Sequence, residues 1–513
     1  MRRLVALPVL AALASACASV PPAVTPPVAA APTVTIDSTV TVALLQINDV
    51  YEITPIEGGR YGGMARVATI RQRLLAETPH VVTFLAGDFY SPSALGTARV
   101  NGQRLQGRQM VAVLNALGLD LATFGNHEFD LSEADFRARV AESRFRYVSA
   151  NVLDATTMEP FRNVPLDTTY TFASRFGPVR VGFTGVTLPA TVKPYVAYTD
   201  AFTALGLAES RLNDRRPAAK VAITHQTLAE DLAVASRMGG GGQYDLVVGG
   251  HEHENILLMR GPHLTPVAKA DANVRTVYVH RLRIHPRLGL LRIDHELVPV
   301  DASVPDDPAV AAEVQRWVDA GYAGFRADGF EPTAVVTTLP IPLDGREASV
   351  RNTVTPLTGL IAEAYFRDAA QDGAVDAAVY NSGSIRVDDV LPAGPMTEYD
   401  VIRVLPFGGF VQTAEVRGAT LDSVLAAGVG NVGSGGFLQT HQIGGGPGAW
   451  TVNGQPLDPR RTYRIATSDF LVSGREANLG FFAPRNPNVK VVATHRDVRR
   501  AMIVELRRRY GTP

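Results

Sequence analysis

At 513 residues with 46% apolar side chains, the chain is too long for one ordinary core and long enough for two domains. Lys plus Arg number 49 against 50 for Asp plus Glu, which excludes a bulk positive field that would gather nucleic acid nonspecifically, and no stable nucleic-acid partner is expected. Only Lys193, Lys220, Lys269 and Lys490 supply lysine, a bias attributed to genome composition and given no functional weight.

Arg2 and Arg3 precede the apolar run LVALPVLAAL, and ASACAS then sets the single cysteine, Cys17, after small residues, the pattern of an export signal. It resembles a bacterial lipoprotein signal over residues 1–17, with Ala14 where leucine is usual; ordinary signal cleavage is the alternative. The resemblance implies a mature chain starting at Cys17 and a membrane partner through its lipid. The location would be the periplasm or cell surface. Ala18, in place of the aspartate that retains many lipoproteins at an inner membrane, favours the outer one. Residues 18–38 are rich in Pro and Ala and are expected to form an extended tether. No later stretch approaches the ~20 apolar residues of a spanning helix. With no cysteine beyond residue 17, no disulfide holds the fold.

From residue 39, apolar β-type runs alternate with segments of helical period, the pattern of a layered α/β (α+β) domain extending to residue 302. TVALLQI precedes GGMARVATIRQRLLAE, where Val67, Ile70 and Leu74 share a helical face; VVTFLA, DLATF, YVSA, VRVGFTGV, KVAIT and YDLVVGG follow. Several of these runs end in polar groups: Asp49, Gly87-Asp88, Gly125-Asn126-His127, His225, and His251 with His253. Ligands of open α/β sheets gather at the carboxyl ends of strands, so these groups are expected on one rim. Residues 303–329 are predicted to form a linker helix, with Asp307 as N-cap, Pro308 at the first helical position and Val310, Val314 and Val318 in register. Residues 330–513 form a second body. Its GVGNVGSGG and IGGGPG match neither a P-loop nor a dinucleotide turn and are assigned to loops.

Asp, Asn and His are ligands for hard-to-borderline divalent metals, and an aspartate between two such sets can bridge two ions. Taken singly, a GD dipeptide or a lone histidine is more often a turn or a surface residue. In this chain ND, GD, GNHEFD, TH and GGHEH occur in order at strand ends. That order resembles the calcineurin-like metallophosphoesterase superfamily, and the remainder of the chain narrows the resemblance to the secreted, two-domain 5′-nucleotidase family. The resemblance implies a four-layer β-sandwich flanked by helices, a linker helix and a C-terminal α/β nucleotide-binding domain. It also implies two divalent ions, zinc, manganese or similar. Asp49, Tyr51, Asp88 and His253 would hold one ion, and Asp88, Asn126, His225 and His251 the other, with Asp88 as the bridge. His127, oriented by Asp130, would stabilise phosphoryl charge or assist the leaving oxygen; capping a helix near Leu131 is the alternative reading. The other histidines, such as His80, His263, His285 and His441, match no position and are expected at the surface.

Tyr51 departs from the family's Asp-x-His. A neutral phenol binds zinc or manganese weakly, whereas a phenolate is a strong donor to ferric iron, as in purple acid phosphatases of the same superfamily. Three outcomes are open: Fe(III) facing Tyr51, a weaker site completed by water or Glu52, or an empty first site.

In the second body, YNSGSIRVD resembles the family's Asn-x-Gly-x-Ile-Arg stretch and carries Asn381 and Arg386; VLPFGG carries Phe407 and SDFLVSG carries Phe470. Two aromatic rings can sandwich a base irrespective of its identity. Glu476 stands where the family has a ribose-binding aspartate, and Arg351 aligns with a phosphate- or ribose-binding arginine. The resemblance implies hydrolysis of 5′-nucleotides, 2′,3′-cyclic nucleotides or nucleotide sugars for scavenging. The alternative is a catalytically weak or inactive surface lipoprotein that binds nucleotides or a partner.

Overall fold

Residues 39–236 and 244–511 are described by the structure, a computed structural model; the signal segment, Cys17 and the tether lie outside them. The first strand, Val40–Ile47, is parallel to Val81–Ala86, which pairs in the same sense with Leu121–Thr123 and through it Arg146–Tyr147. Thr276–His285 and Gly289–Pro299 add antiparallel, giving six strands. A second six-stranded sheet has Val179–Thr187, Ala219–His225, Leu246–Gly249 and Thr265–Lys269 in parallel, with Asp167–Phe172 and Ile256–Arg260 antiparallel at its edges.

Alternation along the strands decides the layers. Val42, Leu44, Val82 and Phe84 turn inward to meet Val181, Phe183, Val221 and Ile223 of the facing sheet in one buried core. Their neighbours Ala43, Leu45 and Leu85 turn outward into a second core with Val67, Ile70 and Leu74 of the helix Met64–Glu77 and with Met110 and Leu114 of Arg108–Leu117. Ala201–Asp214 and Leu228–Ala235 cover the far side of the other sheet. The result is helix, sheet, sheet, helix. Central strands buried on both faces read as largely apolar runs, which is why VVTFLA, buried at all six positions, carries Thr83 as its one polar residue. Truncating the fully buried Phe183 to alanine would cost about 3–5 kcal/mol.

The expected linker helix spans Pro308–Ala327, and the Asp307 carboxylate accepts from the amides of Ala309 and Val310, both at 3.0 Å. Val310, Val314, Trp317 and Phe325 are buried and Val318 is half-buried; the helix packs on Met64–Glu77 and Arg108–Leu117 of the first body. Beyond it, a five-stranded mixed sheet runs Leu438–His441, Ala377–Asn381, Thr462–Ser468, Phe410–Arg417, Val489–Asp497. Helices Pro356–Ala369 and Val498–Tyr510 cover one face and Gly418–Gly430 the other.

Thr39–Pro513 is a single compact unit. A buried polar seam joins its two domains: Arg275 reaches Asp389 at 2.6 Å, Arg403 lies 3.5 Å from Asp389 and 3.7 Å from Glu52, and the Tyr399 hydroxyl donates to Glu52 at 3.2 Å. Among the described residues no helix is long and apolar enough to cross a membrane.

Candidate metal centre and substrate cleft

The parallel strands of both sheets end on one rim, and the polar residues after them converge there. Asp49 follows Val40–Ile47, Asp88 follows Val81–Ala86, Asn126 and His127 follow Leu121–Thr123, His225 closes Ala219–His225, and His251 and His253 follow Leu246–Gly249. Asp49, Asp88, His251 and His253 have left-handed φ of 51°, 58°, 87° and 63°. Non-glycine residues avoid this region, so strain is concentrated where side chains must turn inward. The rim leaves no room for additional side-chain atoms: a Cβ on Gly125 would collide with the Asp88 carboxylate, and one on Gly250 would lie 2.6 Å from Asp49 Oδ2.

Ligand atoms of Asp49, Asp88 and His225 lie within 4.8 Å of one another, all buried. His225 donates its Nδ1–H to the Ala86 carbonyl at 2.8 Å, leaving Nε2 inward, 3.1 Å from Asp88 Oδ2. That Nε2 and Asn126 Oδ1 are buried without a hydrogen-bond partner among the described residues. Buried polar atoms are ordinarily satisfied, and an orphaned imidazole nitrogen facing Asp49 and Asp88 and an orphaned amide oxygen on the loop whose next residue bonds Asp88 form a donor set that fits a divalent cation. The electrostatics agree. Burial alone would depress the His225 imidazole, but Asp88 and Asp49 override it and raise it to about 9. Burial pushes the Asp88 carboxyl up, yet His225 and His127 hold it far below the usual carboxylate range. Two buried carboxylates thus favour positive charge between them. The His251 amide donates to Asp49 at 3.0 Å, and burial, then the neighbouring His225, lower the His251 imidazole below its ordinary value.

Tyr51 lies inside this cluster, its hydroxyl 3.3 Å from Asp88 Oδ2 and 3.0 Å from His253 Nε2. Burial, then Asp88 and Asp49, push the phenol well above its ordinary value. Glu52, weighed as a substitute ligand, turns instead to Tyr399 and Arg403 in the domain seam. His127 caps no helix: it opens a short turn, and Ser132 caps Glu133–Glu142. Its amide donates to Asp88 Oδ1 at 2.8 Å and its Nδ1 meets Asp130 Oδ2 at 2.7 Å.

A cleft of about 600 Å³ between the domains is lined by Tyr90, Ser91 and Asp130 from the first, and by Asn381, Arg386, Phe407, Phe470 and Glu476 from the second. Phe407 and Phe470 are 47% and 38% exposed, unusual for phenylalanine, and each has a guanidinium over its ring, Arg386 at 5.6 Å and Arg475 at 5.3 Å from the centroid. Asn381 donates to Glu476 at 2.7 Å. Arg351 lies apart from this set. It lines a neighbouring cavity with His251, His253 and Asp388, and is linked to the cleft through Glu347, which also lies 3.2 Å from Arg386.

Three positions escaped the sequence reading. Glu128, within the quoted GNHEFD, is fully buried, and its carboxylate accepts from the amides of Asp88, Phe89, Tyr90 and Gly125, clasping two ligand loops together. Lys269 is buried, pairs with Asp231 at 2.8 Å and with Glu252, and so braces the loop bearing His251 and His253. Its scarcity as a lysine was the available signal. Asp388 reaches His253 from the other domain. Among the unassigned histidines, His280 is also fully buried rather than exposed, bound to Gln46 and His295.

Residues 42–255 match the calcineurin-like phosphoesterase family and residues 333–482 the 5′-nucleotidase C-terminal domain. The chain is 24% identical over 490 residues to a 5′-nucleotidase of Bos taurus, covering 85% of this chain and 81% of that protein. A 5′-nucleotidase precursor from Thermus thermophilus superposes with a TM-score of 0.74 at 21% identity, covering 92% of this chain and 97% of that one. The sulfate thiohydrolase SoxB of the same species superposes at 0.66 and 16% identity, covering 91% of this chain and 94% of that one. The fold therefore serves more than one chemistry. It is the pairing of the two matched domains, in this order and over a phosphoesterase-type rim, that assigns the chain to the 5′-nucleotidase family of metal-dependent phosphohydrolases.

Proposed function

We propose that the chain hydrolyses nucleotide phosphate esters, 5′-nucleotides foremost, with 2′,3′-cyclic nucleotides and nucleotide sugars as further substrates, in nucleotide scavenging outside the cytoplasm. The observation that carries this reading is the shared cleft, in which Asp130, the partner of His127, and two exposed phenylalanines line one cavity. On this reading Asp49, Tyr51, Asp88 and His253 hold one divalent ion, and Asp88, Asn126, His225 and His251 the other. Bound there, such a pair polarises phosphoryl oxygens and lowers the pKa of an attacking water.

The chain's own residues do the rest. Phe407 and Phe470 stack on the base, Asn381 and Glu476 contact the sugar, and Arg386 offers a fork of donors to phosphate. With Nδ1 bonded to Asp130, the His127 Nε2 can carry a proton to the leaving oxygen. An assay of AMP and p-nitrophenyl phosphate with added manganese, zinc or cobalt tests the reading. Turnover no higher than that of an Asp88→Ala control, with every metal, would sink it.

The position of the Tyr51 hydroxyl among the ligands favours a second reading of the metal, Fe(III) facing a phenolate. A visible charge-transfer band that disappears in Tyr51→Phe would establish it; two bound divalent ions without colour would exclude it.

A further inference from the structure

We infer that Asp388, from the C-terminal domain, is a positioning residue for His253, so that one of the two metal sites is completed across the domain seam. The inference rests on the reading of His253 as a ligand. Asp388 Oδ2 lies 2.5 Å from His253 Nδ1, and its other oxygen accepts the Glu347 amide at 2.7 Å, so both oxygens are engaged. A carboxylate at Nδ1 fixes that nitrogen as the donor and leaves the lone pair on Nε2. Nε2 faces the cluster, 3.5 Å from Asp49 Oδ1 and 3.0 Å from the Tyr51 hydroxyl.

This geometry is that of a carboxylate orienting a metal-binding imidazole and raising its basicity. From within its own domain the loop is held at this residue by the Ala272 amide, which donates to the His253 carbonyl at 3.0 Å, and the ring meets the Tyr51 hydroxyl at Nε2; its Nδ1 is held by Asp388. The phenol at position 51 is the weaker donor of the set, so the imidazole at 253 carries more of that site's affinity. Its orientation then depends on the second domain being docked. The substrate-binding body thereby takes part in assembling the metal centre as well as in gripping the ligand.

The experiment titrates cobalt(II) into metal-stripped full-length protein, reading d–d absorption and bound stoichiometry in wild type, Asp388→Ala, Asp388→Asn, His253→Ala and the double variant Asp388→Ala/His253→Ala. Asp388→Ala is expected to weaken one of two sites by about 10–100-fold and to change its absorption. Asp388→Asn, whose amide oxygen still accepts from Nδ1–H, is expected to weaken it less. In the His253→Ala background, Asp388→Ala should add no further loss, whereas a merely structural role would lower affinity equally in both backgrounds. If His253→Ala weakens one site while Asp388→Ala leaves both at wild-type affinity, the inference is overturned and the ligand assignment stands. If His253→Ala itself leaves both affinities unchanged, both are overturned.

Discussion

The metal rim of the first domain and the aromatic face of the second solve opposite problems. On the rim, side chains arrive from separate strand ends, most are buried, four sit on left-handed backbone, and Gly125 and Gly250 press on Asp88 and Asp49 with no room for a Cβ. On the opposite face, Phe407 and Phe470 stand half-exposed on loops beneath Arg386 and Arg475, and Arg386 is also engaged by Glu347. A candidate metal site, which needs exact geometry, is built on rigid strand termini, whereas the proposed base-stacking face is built on loops. The carboxylate clasp of Glu128 on four amides has no equivalent among the phenylalanines.

Removing the carboxylate proposed to be shared should break the contrast most severely: Asp88→Ala is expected to lose both ions and all turnover, read by elemental analysis and AMP hydrolysis. Next, His127→Ala should retain both ions yet lose about 10²–10⁴-fold in kcat. Loss of an ion in that variant would mean that the histidine belongs to the metal set. On the other face, Phe407→Ala or Phe470→Ala should forfeit about 1–3 kcal/mol of stacking, raising KM for AMP roughly tenfold or more with a smaller change in kcat. An unchanged KM would identify the rings as scaffold.

The smallest effect concerns stability rather than turnover. Burial, with His295 beside it, holds His280 well below its ordinary pKa, so the unfolded chain binds a proton there that the folded chain does not. That contribution is complete above the unfolded value, near 6.5, and is lost as pH falls toward the folded value, by about 1.4 kcal/mol per pH unit. Chemical denaturation from pH 7 to 5 should show stability falling less steeply in His280→Gln than in wild type.

Much of the rim was legible because its chemistry is written locally. ND, GD, GNHEFD and GGHEH each follow an apolar run, and the parallel pairing of those runs carries their ends to one side. The cleft was legible for the same reason, through NSGSIR, LPFGG and SDF. Arg351 illustrates the limit: its stretch aligns with the substrate motifs, yet the helix Glu347–Val350 before it delivers the side chain to the neighbouring cavity.

By itself, the sequence determined the two bodies, the helix between them and the order of candidate ligands, since strand period, capping and motif spacing depend only on neighbours along the chain. Only the tertiary structure decided that Glu52 turns away into the seam, that Lys269 braces the histidine loop, and that Asp388 meets His253 across 135 residues of chain. Those choices belong to buried charges, and a buried charge takes whichever partner the packing brings within reach.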